Sequence, residues 1–281
     1  MKRLIAMALF VALVPGAGHL CNAQEPSSSA SQQKQEQTKY TKEQFEAMKK
    51  QNEETAKHNA LVKQLNDAFT AKNWEAALAP LQQLIAANPD QWQYYSGLGT
   101  ARLNLGQYDQ AIDAYAKGVQ AAERSTSGDS KNASPDLART KIGEATMLTN
   151  QGNAFLKLRK NKEAIAAYTK AASLDPNPAT AYFNLCATQY NIGNTVGALD
   201  ACDKAIAADP NKADTYFIKG SLMMSEANAD KEGRITLPPG TAEALNKYLE
   251  LAPDGPHADD VKTMLKSIGA KIETTYKKKG K

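Results

Sequence analysis

The chain repeats a short pattern at intervals of about 34 residues, and this recurrence limits its possible folds more than any other feature. Alanines flanked by helix-forming residues recur with gaps of 34, 53, 34 and 46 residues, at Ala77, Ala111, Ala164, Ala198 and Ala244. A larger side chain follows each alanine four residues later, at Leu81, Tyr115, Tyr168, Cys202 and Tyr248. The two long gaps are one period plus an insertion. A fixed period of this length is typical of repeat proteins.

Each repeat has the spacing of two helices joined by a turn. Apolar residues within a repeat fall three and four apart, which is the spacing of one helical face. Turn-forming residues divide the repeats at Asn73, Gly106, Asn161 and Gly193. A single two-helix hairpin cannot bury both of its faces, so the hairpins must stack on their neighbours.

Further positions of the repeat indicate a known family. The segments before the alanines are Tyr95-x-x-Leu98-Gly99, Leu148-x-x-Gln151-Gly152 and Tyr182-x-x-Leu185-Cys186, and prolines follow the alanines by twelve at Pro89, Pro176 and Pro210. This pattern resembles the tetratricopeptide repeat, which has an aromatic-x-x-Leu-Gly start and an Ala-x3-aromatic second half. The resemblance implies an all-α right-handed solenoid of about five hairpins with a C-terminal capping helix. The expected units are 60–90, 91–123, 145–178, 179–212 and 213–253.

The N-terminus is typical of a signal peptide. Lys2 and Arg3 precede an apolar run, and small residues precede a cut after Ala23. Residues 1–23 are therefore expected to be removed, which predicts a periplasmic or secreted protein. An alternative is a lipoprotein acylated on Cys21, although the residues before Cys21 do not fit that class of signal.

The remaining segments flank the repeats. Residues 24–40 are rich in Ser and Gln and predict a disordered linker. Thr41 and Gln44 form a capping box that opens a charged lead-in helix over 41–59, which continues into Ala60. Residues 254–273 predict the capping helix, and 274–281 form a basic tail. No segment after the leader is apolar enough to span a membrane.

The charge balance argues against a nucleic-acid partner. The chain has 34 Lys and Arg against 30 Asp and Glu. Two of the basic residues lie in the leader and four in the last five positions, so the repeats are nearly neutral. Nucleic-acid binding usually requires a concentrated basic surface on the fold.

We find no sequence pattern for catalysis, a metal or a cofactor. After the leader, only His58 and His257 remain, and no zinc-binding histidine pair or phosphate-binding loop is present. His257 lies near Asp259 and Asp260, where the acidic residues suit a helix start. An enzyme with an unrecognised site at His257 stays the alternative.

The two cysteines of the repeats are predicted to face each other. Cys186 and Cys202 lie eight residues on either side of a turn centred at Asn194. Residues equidistant from the turn of an antiparallel hairpin lie opposite one another, so a disulfide is geometrically reasonable. The alternative is two buried cysteines that serve as small apolar residues.

The resemblance also implies a binding surface. In this family the first helices line a concave groove that receives an extended or helical peptide. The groove positions selected here are Asn150, Asn153, Phe183, Asn184, Tyr190, Phe217, Ser221 and Met224. Asparagine suits a peptide backbone because it both donates and accepts, and the apolar members are expected to act as anchors. Tyr190 and Met224 have the alternative of packing between adjacent units.

These observations predict a non-enzymatic, monomeric scaffold that binds a protein or peptide in its groove. One family subgroup clamps acidic tails with lysine and arginine, but the equivalent positions here are mostly neutral, so little salt dependence is expected. The alternative is a structural or assembly subunit of a cell-envelope complex that uses its insertions and convex face.

Overall fold

A computed structural model describes residues 41–126, 137–229 and 235–271. The predicted leader (1–23), linker (24–40) and basic tail (274–281) lie outside these residues. The helices of the N-terminal half are α1 (Lys42–Thr70), α2 (Trp74–Ala87), α3 (Trp92–Asn104), α4 (Tyr108–Thr126), α5 (Leu137–Lys157) and α6 (Asn161–Leu174). Those of the C-terminal half are α7 (Ala179–Asn191), α8 (Thr195–Ala208), α9 (Ala213–Ser225), α10 (Thr241–Leu251) and α11 (Ala258–Ser267). Two short strands, β1 (Asn228–Ala229) and β2 (Ile235–Thr236), pair antiparallel before α10.

Ten of these helices form five antiparallel hairpins, α1/α2 through α9/α10, and α11 packs on the last of them. Each hairpin contacts the next, so the buried side chains form a continuous row of clusters along the stack. The predicted all-α solenoid of helical hairpins with a C-terminal capping helix is confirmed. Among the described residues, no helix has both the length and the apolar content needed to cross a bilayer.

Helix α1 joins the predicted lead-in helix to the first hairpin without a break. The backbone N–H of Gln44 donates to Thr41 Oγ1 at 3.2 Å, and the N–H of Thr41 donates to Gln44 Oε1 at 2.9 Å. This capping box starts a helix of 29 residues whose buried side chains are Leu65 and Ala68. Only its C-terminal part therefore belongs to the core, and its N-terminal part lies in solvent.

Helix α5 begins earlier than the expected start of the third unit at residue 145. Residues 137–144 add two turns that pack across the second hairpin, with Gly143 against the Trp92 indole. Thr140 and Glu144 are buried there. A side chain on Gly143 would collide with the indole, so this close contact requires glycine.

The register of the fifth hairpin differs from the prediction. A methyl group added at Gly220 would lie 2.6 Å from Leu245, so Leu245, and not Tyr248, takes the position of the repeat aromatic. Thr241, which is 2 % exposed, then takes the position of the repeat alanine. Pro253 follows it by twelve residues, as in the other repeats. The assignment of Ala244 and Tyr248 to these positions was wrong by three residues. The reason is that Tyr248 also follows an alanine by four residues, which is the spacing of the repeat pattern.

Helix α11 covers the end of the stack. Its buried residues Ala258, Val261 and Leu265 pack on α10, in one cluster with Leu245 and Leu249. The helix ends at Ser267, before Gly269, which has a positive φ of 66°.

Candidate functional site

The first helices of the hairpins line the inner side of the stack. Two pairs of consecutive first helices contact each other, α3 with α5 and α7 with α9. In a curved stack of hairpins the helices on the inside lie closest together. We call the surface formed by α1, α3, α5, α7 and α9 the concave groove.

In hairpins two and three, a glycine in the first helix and a tyrosine in the second allow the two helices of the hairpin to pack closely. A methyl group added at Gly99 would lie 2.5 Å from the Tyr115 ring, and one added at Gly152 would lie equally close to the Tyr168 ring. Both rings are fully buried. Because the rings lie directly on the first helix, their hydroxyl groups reach across it to the groove.

The hydroxyl of Tyr115 reaches the groove residue Thr100. It lies 3.1 Å from Thr100 Oγ1, whose own proton goes to the Ser96 carbonyl at 2.9 Å. Tyr115 is therefore the donor to Thr100. Thr100 is thus held in place by a side chain from beneath the groove.

Asn153 is held in the same way. The hydroxyl of Tyr168 donates to Asn153 Oδ1 at 2.7 Å, which leaves the Asn153 amide nitrogen to donate elsewhere. Burial raises the pKa of both Tyr115 and Tyr168 well above the ordinary value of 10.0. Both hydroxyls therefore stay neutral and act as donors to the groove.

The middle of the concave groove is polar and almost uncharged. The half-buried side chains that share a helical face with Thr100 and Asn150 are Gln93, Ser96, Thr146, Thr149 and Asn153. The next hairpin adds the half-buried Asn184. Within the described residues, Gln93 Oε1 and Ser221 Oγ are buried without a hydrogen-bond partner, at the two ends of this surface. Ser221 was among the predicted groove residues, whereas Gln93 was not. For both, the lack of a partner could not be predicted from sequence, because it depends on what packs around the side chain.

The aromatic residues predicted for hairpin four differ in accessibility. Tyr190 is 38 % exposed at the end of α7, which favours a surface role over packing between units. Phe183 is half-buried, and the Lys212 ammonium lies 4.2 Å from its ring centroid. One face of the Phe183 ring is thus covered by a cation from the next hairpin.

The two apolar residues predicted in hairpin five are engaged by the C-terminal cap. The Phe217 ring stacks on His257, with centroids 3.8 Å apart and planes 4° from parallel. Met224 packs in the same cluster as α10 and α11. Phe217 and Met224 are half-buried against the cap, so their use as groove anchors stays a prediction. Sequence reasoning missed this role of His257.

The two cysteines stand where hairpins two and three have glycine and tyrosine. Their sulfur atoms lie at bonding distance and their Cα atoms 5.0 Å apart. The structure therefore places the side chains face to face, as the hairpin geometry predicts. Two small side chains at disulfide distance replace the ring-on-glycine contact at this position.

The opposite side of the stack carries a second concavity. It has a volume of about 770 Å³ and lies between α2, α3 and α4. Its floor includes Ile85, Tyr95 and Leu98, and its rim includes the ion pair of Asp113 and Lys117 at 2.8 Å.

The His257 cluster has few polar neighbours. His257 Nδ1 lies 3.8 Å from Asp260 Oδ2, and the backbone N–H of His257 donates to the Tyr248 hydroxyl at 2.9 Å. In the part of the chain that the structure describes, no group of three or more His, Cys, Asp or Glu side chains is placed to hold a metal.

Comparison with known proteins agrees with this architecture. The family described as tetratricopeptide repeat matches residues 62–126 and 149–213. A small glutamine-rich tetratricopeptide repeat-containing protein 2 of Mycosarcoma maydis is 29 % identical over 143 residues, which is 51 % of this chain and 35 % of that protein. The alignment therefore spans about a third of that relative's length.

Two solved structures share the fold. The MamA protein is 19 % identical, with 70 % of this chain and 92 % of that chain covered and a TM-score of 0.53. YrrB, described as having an unusual peptide-binding site, is 21 % identical, with 71 % and 88 % covered and a TM-score of 0.51. At these identities the likeness shows the fold alone.

Proposed function

Because the chain belongs to the tetratricopeptide-repeat family, we propose that it is a non-enzymatic scaffold that binds a protein or peptide partner in the concave groove. The observation that carries this proposal is the uncharged polar surface of α3, α5 and α7. Two of its side chains, Thr100 and Asn153, are held in position by buried tyrosine hydroxyls. The structural neighbour YrrB is described as having an unusual peptide-binding site, which makes a peptide a reasonable kind of ligand for this groove.

The groove suits a ligand that is recognised mainly through its backbone. The free amide nitrogen of Asn153 can donate to a peptide carbonyl, and Asn184 offers both a donor and an acceptor. Because these side chains are half-buried and the Tyr168 hydroxyl restricts Asn153, little side-chain entropy is lost on binding. Tyr190 and the exposed part of Phe183 provide apolar contacts beside them.

A pull-down with matched variants tests groove binding. The groove variant is Phe183→Ala/Asn184→Ala/Tyr190→Ala, and the control is Gln120→Ala/Thr169→Ala, which changes exposed residues of the second helices outside the second concavity. A groove partner is captured by the parent and the control and lost by the groove variant. Its affinity should change little between about 50 and about 500 mM salt, because the groove is nearly uncharged. A partner captured equally by all three proteins would refute groove binding.

We also propose that the chain works in the periplasm or after secretion. The support is the leader pattern of residues 1–23. Intact-mass and N-terminal analysis of protein from the cell envelope should find a mature chain that begins at Gln24. An N-terminus at Met1 in a cytoplasmic fraction would refute export.

The concavity between α2, α3 and α4 favours a second candidate, an assembly subunit that uses its convex side. In that case the groove variant would still capture the partner, and the variant Asp113→Ala/Lys117→Ala would not. The two candidates also differ in solution behaviour, since a groove binder is expected to sediment as a monomer.

A further inference from the structure

Two adjacent turns on one edge of the solenoid carry opposite kinds of side chain. The turn between α5 and α6 presents Lys157, Arg159, Lys160 and Lys162, and we call it the basic turn. The turn between α7 and α8 presents Tyr190, Ile192 and Val196, and we call it the apolar turn. No charged residue occurs between 187 and 199.

Packing of the underlying helices brings the two turns side by side. Phe155 and Leu156, at the end of α5, pack in one cluster with Ala187 of α7 and Leu199 of α8. Hairpins stacked in the same sense place their turns on the same edge, with helix axes about 8–10 Å apart. The basic and apolar turns therefore form one continuous surface.

The cations of the basic turn are mostly available to an external ligand. Lys160 Nζ lies 3.3 Å from Asp109 Oδ1. Lys157, Arg159 and Lys162 pair with no side chain in the described part of the chain. Arg159 has a φ of 58°, in the left-handed region where the turns of hairpins two and four have glycine and the turn of hairpin one has Lys72 with a φ of 53°.

The apolar turn exposes side chains that the solenoid does not use. Tyr190 is 38 %, Ile192 43 % and Val196 81 % exposed. Half of the six large hydrophobic residues that are exposed in the described residues lie in this one turn. A contiguous exposed apolar group of this kind marks an interaction site.

We propose that this edge docks on the surface of an anionic phospholipid bilayer. The apolar turn enters the interfacial region, and the basic turn lies on the phosphate groups beside it. Peripheral attachment generally needs two signals, an apolar insertion and a basic patch. Unpaired cations beside an apolar tip match a bilayer surface, where phosphate groups lie next to the acyl region.

Co-sedimentation of the leaderless chain with lipid vesicles tests the proposal. The chain should bind vesicles of phosphatidylcholine and phosphatidylglycerol and bind phosphatidylcholine alone far more weakly. Lys157→Gln/Arg159→Gln/Lys162→Gln should lower the partition coefficient about 100-fold, since each basic residue near an anionic surface contributes about fivefold. Ile192→Ser/Val196→Ser should lower it at least about tenfold. Tyr190 is left unchanged because it also belongs to the proposed groove.

Each variant has a matched control elsewhere on the chain. Lys49→Gln/Lys50→Gln/Lys57→Gln removes the same charge from the exposed part of α1. Leu137→Ser/Ile142→Ser removes two exposed apolar side chains from α5. The charge control should retain most of the binding and the apolar control all of it. Every variant is made in the chain that begins at Gln24 and keeps the same basic tail, so the tail contributes equally to each measurement.

Hydrogen–deuterium exchange on the vesicles gives a local readout. The proposal requires slower exchange in residues 187–199 and 157–162 on anionic vesicles, with no change in the exposed part of α1. Vesicle binding without protection at these turns would overturn it, since another segment would then be the anchor. It would also be overturned if the turns stayed unprotected on vesicles and were protected only by the groove partner, which would make this edge a protein interface.

Discussion

Single glycine residues decide how closely the helices of a hairpin approach. Gly99 and Gly152 each lie under a fully buried tyrosine ring, and Cys186 replaces them in hairpin four. The same contact sends the tyrosine hydroxyls to Thr100 and Asn153 in the groove. Core packing and the polarity of the binding surface therefore depend on the same residue pairs.

Gly152→Ala should destabilise the protein although alanine is the better helix former. The helix gains about 1 kcal/mol from the substitution, but the new methyl group would lie 2.5 Å from the ring of Tyr168. Overpacking of a closed core costs about 1–3 kcal/mol, so we expect a net loss in the free energy of unfolding measured in urea. Combining it with Tyr168→Leu should remove most of the conflict, and a simple sum of the two single effects would contradict this explanation.

At the scale of elements, hairpin four differs from its neighbours in the contact that joins its two helices. Its helices α7 and α8 meet at Cys186 and Cys202, which are 16 residues apart in sequence. The hairpin also carries the apolar turn and groove residues Phe183 and Asn184. A covalent link here would stabilise the hairpin that contributes most to both proposed binding surfaces.

The two cysteines should be joined in protein recovered from an oxidising compartment. Peptide mapping without reduction should find the segments of Cys186 and Cys202 linked, and alkylation of both thiols would show that they are free. Cys186→Ala/Cys202→Ala should lower the free energy of unfolding by about 3 kcal/mol, as expected for a closed loop of this length. The free energy of unfolding of this variant is then compared with that of the reduced parent protein. The comparison distinguishes the effect of losing the covalent bond from the effect of losing the packing of the sulfur atoms.

A buried carboxyl connects the second and third hairpins. Glu144 of α5 is 5 % exposed and lies 3.4 Å from Lys170 of α6, which also pairs with Glu123 of α4 at 2.7 Å. Burial raises the pKa of the Glu144 carboxyl from 4.5, and Lys170 opposes this shift. The folded state therefore holds the Glu144 proton to higher pH than the unfolded chain does.

This shift predicts the sign of a pH effect. Because the pKa of Glu144 is higher in the folded state, its contribution to stability is largest below about pH 4.5 and falls as pH rises through the folded value. Relative to the parent, Glu144→Gln should thus gain stability as pH rises from about 4 to about 7. Lys170→Met removes the opposing charge and should steepen the pH dependence of the parent carboxyl. A stability difference between Glu144→Gln and the parent that is constant with pH, measured by urea unfolding, would contradict the account.

For the whole molecule, stability is expected to depend on each hairpin and its contacts with the next. The C-terminal end lacks a following hairpin, and α11 replaces it by burying Val261 and Leu265 against α10. His257 extends this cover to Phe217 in the groove. The cap thus protects the core and also shortens the open part of the concave groove.

Undocking the cap should loosen the C-terminal end first. Val261→Asp buries a charge and should cost about 3–5 kcal/mol of local stability. Hydrogen–deuterium exchange should rise in α9 and α10 while α3 to α6 stay protected, because each repeat depends mainly on its neighbours. The exposed Thr263→Asp on the same helix serves as the control. Equal acceleration in all five hairpins would show that the stack unfolds as one unit.

The sequence alone was sufficient for the fold class and for most hairpin positions. Apolar spacing, turn residues and the 34-residue period are local signals, and they recur in every complete repeat. The facing of Cys186 and Cys202 follows from the same regularity, because distance from the turn determines which residues lie opposite. The neutral middle of the groove could be predicted for the same reason, as Asn150, Asn153 and Asn184 lie at regular positions.

Only the tertiary structure decided the irregular parts. Tyr248 matches the repeat pattern as well as Leu245 does, and the packing on Gly220 selects Leu245. The stacking of His257 on Phe217 and the contact of Gly143 with Trp92 join residues from different elements. The joining of the basic and apolar turns likewise depends on how neighbouring hairpins stack. Local periodicity specifies which face of a helix is buried, but the partner on that face is chosen by packing between distant segments.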